Sequence, residues 1–218
     1  MMTEKEWFEE WFDSPYYHIL YKNRDSKEAE NFLNNLISRL PMQPGSKVLD
    51  VACGKGRHSI FLNKMGFEVT GFDLSPGSIR HNLQFENDTL QFAVHDMRDV
   101  FRSSYFDYAV NLFSSFGYFE HINENQRVFN AVATALKKGG IFIFDYVNVN
   151  WAIQHALGDT IEHIDGIKFK INKSVQGDFI VKNISFVSEG KWFEFSERLR
   201  IFQPEMLSKR SEEHTSEL

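Results

Sequence analysis

Apolar residues follow two rhythms along the 218-residue chain, and the change falls near residue 150. Before it, short apolar runs alternate with stretches of helical spacing. Residues 3–22 give two aromatic-rich helical pieces that break near SPYY, where Pro15 suits a first helical turn. In DSKEAENFLNNLISRL, Asp25 and Glu28 form a capping box, and Phe32, Leu33, Leu36, Ile37 and Leu40 recur at helical spacing. Then SKVLDVA predicts a strand and RHSIFLNKMG a helix closed by Gly66. FEVTGFD predicts a second strand, and SPGSIRHNL a helix capped by Ser75 with Pro76 in its first turn. LQFAVHD and YFDYAVNLF follow as strands. NENQRVFNAVATALKKGG reads as a helix with lysines in its last turn and Gly139 past its end, and IFIFDYVNV as a fifth strand. Strands separated by helices require right-handed crossovers and a parallel sheet covered on both faces.

Past residue 150, IKFKINKSVQGDFIVKNISFVSEGKWFEFSERLRIF alternates apolar and polar positions, with turns at QGD and SEGK. This predicts an antiparallel excursion of two or three strands attached to the main sheet. The last nine residues, RSEEHTSEL, match the in-frame translation of a common sequencing adapter, so residues 210–218 are read as a non-native tail and left out of the fold. The natural chain is expected to continue beyond Ser208 or Lys209.

Composition changes this picture little. Hydrophobic residues at 42% and charged residues at 25% describe an ordinary globule, and the 22 phenylalanines are expected to pack cores. A net charge of −6, or −4 without the tail, and the lack of a basic block argue against nucleic-acid binding. Cys53 is the single cysteine, which excludes an intrachain disulfide and a multi-cysteine metal site. The acidic, aromatic start is unlike a signal peptide, and no apolar run approaches the ~20 residues of a membrane span, so a cytoplasmic location is expected.

Candidate chemistry sits in VLDVACGKGRHS, where a strand turns sharply into a helix through Gly54 and Gly56. The dinucleotide fingerprint needs a third glycine where this chain has Ser59. Asp73, 19 residues after Gly54, ends the second strand and can hold a ribose. Asp96 and the backbone of Met97, in HDMRD, can read an adenine edge, which a dinucleotide site does not require there. A cofactor without phosphates needs only close backbone approach, for which G-x-G suffices.

In order, VLDVACGKGRH, VTGFDLSP, HDMR, NLFSSFGYF and LKKGGIFIFDYVN resemble the successive signatures of class I S-adenosylmethionine-dependent methyltransferases, across residues 47–148. DVACGxGxH, DMR and SSxGY resemble the small-molecule branch, including aminosugar and glycine N-methyltransferases. The resemblance implies an α/β, Rossmann-like doubly wound sheet. It makes 1–40 a helical lid, 41–150 the core that binds S-adenosylmethionine, and 151–209 the antiparallel excursion with the start of a last helix at FQPEML. The family's final strands would lie beyond, leaving an edge of the fifth strand open.

By the same resemblance, Asp50, Ala52, Gly54 and Gly56 line the methionine end of the cofactor. Asp73 holds the ribose, Leu74 packs on the adenine, and Asp96 and Met97 read its edge. Leu112 and Phe113 lie near the methionine, and Tyr17 or Tyr21 in YYHILYKNRD touches its carboxylate. Arg57 and His58 are capping or surface residues, or cofactor contacts. The reaction implied is in-line methyl transfer to an N, O or C nucleophile of a small molecule, with no metal, nucleic-acid or membrane partner. A base is needed only for a protonated acceptor. His121 and His18 are candidates for it and Tyr118 for orienting the acceptor, and none is assigned. Alternatives are an RNA or protein methyltransferase, which would want a basic face, a non-catalytic nucleotide-binding module, and an NAD(P) oxidoreductase, which Ser59 and HDMR oppose.

Overall fold

A computed structural model describes residues 6–22, 26–203 and 206. The Asp25–Glu28 capping pair, most of the helix expected at FQPEML and the tail 210–218 lie outside the described residues. Five parallel strands, β1 (Lys47–Val51), β2 (Glu68–Asp73), β3 (Leu90–Val94), β4 (Phe106–Asn111) and β5 (Leu136–Phe144), form a sheet in the order β3-β2-β1-β4-β5. The order reverses direction between β1 and β4, and in such sheets ligands sit at that switch point, outside the carboxyl ends of the strands.

The β1 sequence explains why both faces must be covered. Leu49 and Val51 enter one core with Phe106, Ala109 and the apolar side of α6 (Ile122–Ala135). Val48 enters the other core with Val69 and Leu90, together with Leu33 of α3 (Ser26–Ile37), Leu62 of α4 (Arg57–Lys64) and Ile79 of α5 (Pro76–Asn82). Ser75 caps α5 by accepting from Ser78 N–H at 3.0 Å, with Pro76 in the first turn, as the sequence predicts.

Three local expectations need correction. The α6 helix stops at Ala135, and the residues read as its lysine-bearing last turn open β5 instead. The register jumps from the Phe106–Leu136 pair to Tyr108–Ile141, and Gly139 in the left-handed region (φ +79°) absorbs the extra residues. Lys137 donates to Asp107 at 2.7 Å from this bulge. The fifth strand ends at Phe144 rather than Val149, because Asn148 caps a short helix, α7 (Val149–His155), by accepting from Trp151 N–H at 3.1 Å.

The antiparallel excursion has four strands and forms a sheet of its own. β6 (Gly158–Ile164), β7 (Ile167–Gln176), β8 (Phe179–Ser188) and β9 (Lys191–Arg200) pair in sequence order as a meander, separate from the parallel sheet. The fourth strand escapes sequence reading because GDTIEHI buries only Ile164 and shows no apolar alternation. Two N-terminal helices, α1 (Trp7–Phe12) and α2 (Pro15–Leu20), complete the meander's core, where Trp11 and Leu20 pack with Phe169, Ile171, Ile184 and Phe186. Among the described residues no helix is long and apolar enough to cross a membrane.

Candidate functional site

The turn after β1 is built from left-handed residues: Ala52 at φ +57°, Gly54 at +54° and Gly56 at +71°. A non-glycine residue held there is strained, and such strain gathers at ligand sites. Gly54 N–H donates to Asp73 Oδ2 at 2.8 Å, and Asn82 Nδ2 donates to Gly54 O at 2.8 Å. Asp73 Oδ1 accepts from Ser75 N–H at 2.9 Å. One carboxylate thus ties the glycine turn to the end of β2. Burial pushes the Asp73 carboxyl above its ordinary range, against the pull of the Ser75 and Gly54 N–H groups.

The two glycines do different jobs. No atom lies within 4 Å of where a Gly54 Cβ would be, so its backbone faces open space. A Cβ on Gly56 would meet the Phe92 ring at 2.9 Å, so Gly56 packs inward and does not reach the cavity. The close helix-to-strand approach that a dinucleotide site takes from its third glycine is supplied here by Gly71 in β2. A Cβ there would lie 2.8 Å from Ser59 Oγ and 3.0 Å from Cys53 Sγ.

At the end of β3, Asp96 accepts from the backbone N–H of Arg98 at 2.8 Å and from its guanidinium at 2.6–3.1 Å. Burial works against the charged Asp96, but the Arg98 hydrogen bonds outweigh it and hold the carboxyl below its usual range. Arg98 also donates to Glu124 of α6 at 2.7 Å and to Glu6, ahead of α1, at 3.0 Å. At the end of β4, Phe113 (φ +58°) and Ser114 (+57°) are both left-handed, and Phe113 N–H donates to Asp145 at 2.8 Å. The His58 ring stacks on Phe113 at 4.9 Å, with the Arg57 guanidinium 4.2 Å from the same ring.

These strand ends and the N-terminal helices enclose a cavity of about 590 Å³. That size suits a nucleoside-bearing cofactor with a small second ligand. Of the residues the sequence singles out, Tyr17, Tyr21, Ala52, Gly54, Asp73, Leu74, Asp96, Met97, Leu112 and Phe113 line it. So do Arg57, His58, His18 and Tyr118, whereas His121 sits outside at the start of α6. Asp50 does not reach the cavity. It lies beneath the turn, 1% exposed, accepting from Ser59 Oγ at 2.5 Å, and burial lifts its pKa to about 7. Tyr21 reaches the wall with its hydroxyl already engaged, donating to Glu197 at 2.7–2.8 Å and accepting from Lys182 at 2.5 Å.

Burial, reinforced by Lys55, lowers His18 to about 4, and burial lowers His58 to about 3, so both imidazoles are neutral near pH 7. Several lining residues escape sequence reading. Glu9 and Phe12 sit in a helix whose aromatic pattern signals only packing, and Lys55 and His81 carry no motif of their own. Asp13 is missed as well: it accepts from Ser75 Oγ at 2.5 Å and from Gly77 N–H at 2.9 Å. Arg98 was visible in HDMR, but its bond to Glu6 depends on a fold that brings residues 92 apart into contact.

Comparison with known proteins agrees with this geometry. Residues 25–201 match the model of a family described as a methyltransferase domain. A glycine/sarcosine N-methyltransferase of Aphanothece halophytica is 30% identical over 79% of this chain and 62% of its own length. The dTDP-3-amino-3,4,6-trideoxy-alpha-D-glucopyranose N,N-dimethyltransferase of Streptomyces venezuelae is 30% identical over 59% of this chain and 54% of its own. The chain spans about half the length of the first curated relatives it matches. In fold, an S-adenosylmethionine-dependent methyltransferase from Clostridium acetobutylicum superposes with a TM-score of 0.74, covering 91% of this chain and 84% of that one at 23% identity. The chain therefore belongs to the methyltransferase-domain family, on the Rossmann-like fold of class I S-adenosylmethionine-dependent enzymes.

Proposed function

We propose that this protein transfers a methyl group from S-adenosylmethionine to an N, O or C nucleophile of a small-molecule acceptor. The observation that carries this reading is Asp73, joined through Gly54 N–H to the glycine turn and facing the cavity beside Asp96 at the neighbouring strand end. Asp73 would hold the ribose hydroxyls, Asp96 and Met97 the adenine edge, and Ala52, Gly54, Leu112 and Phe113 the methionine end. When bound, the cofactor supplies an electrophilic methyl group on a sulfonium.

The chain's own contribution is to orient and to exclude water. Phe8, Phe12, Tyr17 and Phe119 wall the cavity with rings, and Tyr118 donates to Ser114 O at 2.9 Å, which fixes the phenol at the β4 end. Holding two reactants in line is worth effective molarities of ~10⁵ M or more, so the transfer needs no assigned base. An amine acceptor is in keeping with the relatives named for glycine or sarcosine and for an aminosugar, and His18 and His58, both neutral, add no positive charge beside it.

Calorimetric titration tests the reading. S-adenosylmethionine is expected to bind the wild type at micromolar Kd, and Asp73→Ala to weaken binding about 100-fold or more. Binding of NAD(P)H in its place, or of neither, would overturn the assignment.

A further inference from the structure

Helix α1 is fastened to the core at both ends, and both fasteners meet loops that flank the adenosine subsite proposed above. Glu6, just ahead of the helix, accepts from Arg98, the residue that grips Asp96 at the end of β3. Asp13, just behind it, accepts from Ser75 and Gly77 after β2. Between them, at helical spacing on the same face, lies Glu9. It lines the cavity together with Asp73, Leu74, Asp96 and Met97. Glu9 is half-buried, and its carboxylate makes no hydrogen bond or ion pair among the described residues. The other two cavity carboxylates are held by the protein, Asp73 by Gly54 and Ser75 and Asp96 by Arg98. Glu9 is held by no polar partner among the described residues and lines the same space.

We propose that Glu9 is a third adenosine-reading residue, closing over the nucleoside from the lid side and accepting a hydrogen bond from one of its donors, the exocyclic amine or a ribose hydroxyl. This rests on the reading of the cavity as an S-adenosylmethionine site. It makes α1 part of the cofactor site, so the nucleoside is held between strand ends below and a helix above.

The test is calorimetric titration of S-adenosylhomocysteine into wild type, Glu9→Ala, Glu9→Gln and, on the exposed side of the same helix, Glu10→Ala. A hydrogen bond to a charged acceptor corresponds to roughly a 10- to 100-fold change in Kd. Glu9→Ala should therefore weaken binding by about that factor, Glu9→Gln by less because it keeps an acceptor oxygen, and Glu10→Ala not at all. The melting temperature without ligand should not fall in Glu9→Ala, since no protein contact is lost. Two further titrants, one with hydrogen in place of the 6-amino group and one lacking the 3′-hydroxyl, locate the donor. The analogue missing it should bind Glu9→Ala and wild type alike. Binding of S-adenosylhomocysteine to Glu9→Ala with wild-type affinity would overturn the role of Glu9 alone. Failure of the wild type to bind it would overturn the cofactor reading and this inference with it.

Discussion

At the end of β1 the Asp50 carboxyl lies under the glycine turn, takes a hydrogen bond from Ser59 and meets no water. Its pKa in the fold, about 7, stands above the 3.8 of a solvated aspartate, because burial disfavours the charged form. A raised acid contributes stability that is complete below about pH 4 and is lost as pH rises through about 7. His58 works in the opposite sense. With a folded pKa of about 3 against 6.5, its contribution is complete above pH 6.5 and is lost as pH falls toward 3. Between pH 4 and 6.5 the two slopes oppose each other and flatten the profile. Asp50→Asn removes one of them. The melting-temperature gap between this variant and wild type should grow in the variant's favour from pH 4 to about 7 and then level off. A pH-independent gap would mean that Asp50 is ionised throughout.

The N-terminal helices and the meander are joined by one polar knot inside an apolar core. Glu197 of β9 accepts from the Trp11 indole at 2.7 Å and from Tyr21, and Lys182 of β8 stands 3.8 Å away. Truncating Glu197 leaves the fully buried Trp11 N–H without its acceptor, a loss of about 2–3 kcal/mol. Glu197→Ala should then lower the melting temperature by roughly 4–12 °C, and Glu197→Gln by clearly less. Equal losses in the two variants would show that packing, not the acceptor, holds the helices. Elements whose partners are close in sequence or whose pattern is strong were legible: β1 to β4, α4, α5 with its Ser75 cap, and the QGD and SEGK turns. The ends of α6 and β5 were not, because a bulge at Gly139 overrides the helical propensity of Leu136–Lys138. Of the site, the floor was legible, since strand-end motifs carry it. The roof was legible only in part: the lid's tyrosines and His18 line the cavity, but Glu9 carries no motif, and Asp13 owes its place to Ser75 and Gly77, more than sixty positions away.

Across the whole molecule, two sheets of different construction share one small helical segment, and that segment also roofs the cavity. A ligand in the cavity should therefore stabilise more than the parallel sheet. With S-adenosylhomocysteine at about 100 times its Kd, linkage gives roughly 2.7 kcal/mol, or a rise of about 5–11 °C in a single transition. Two transitions, with only one shifted, would mean that meander and core unfold independently. The Trp11–Glu197 contact joins residues 186 apart, nearly the full span of the fold. At a synthesis rate of 5–20 residues per second, about 10–40 s separate the appearance of the indole from that of its carboxylate. Throughout that interval the apolar faces of α1 and α2 have no meander to cover them. These helices are made long before the strands that shelter their meander-facing side, and a chaperone that guards nascent aromatic segments would meet the chain there.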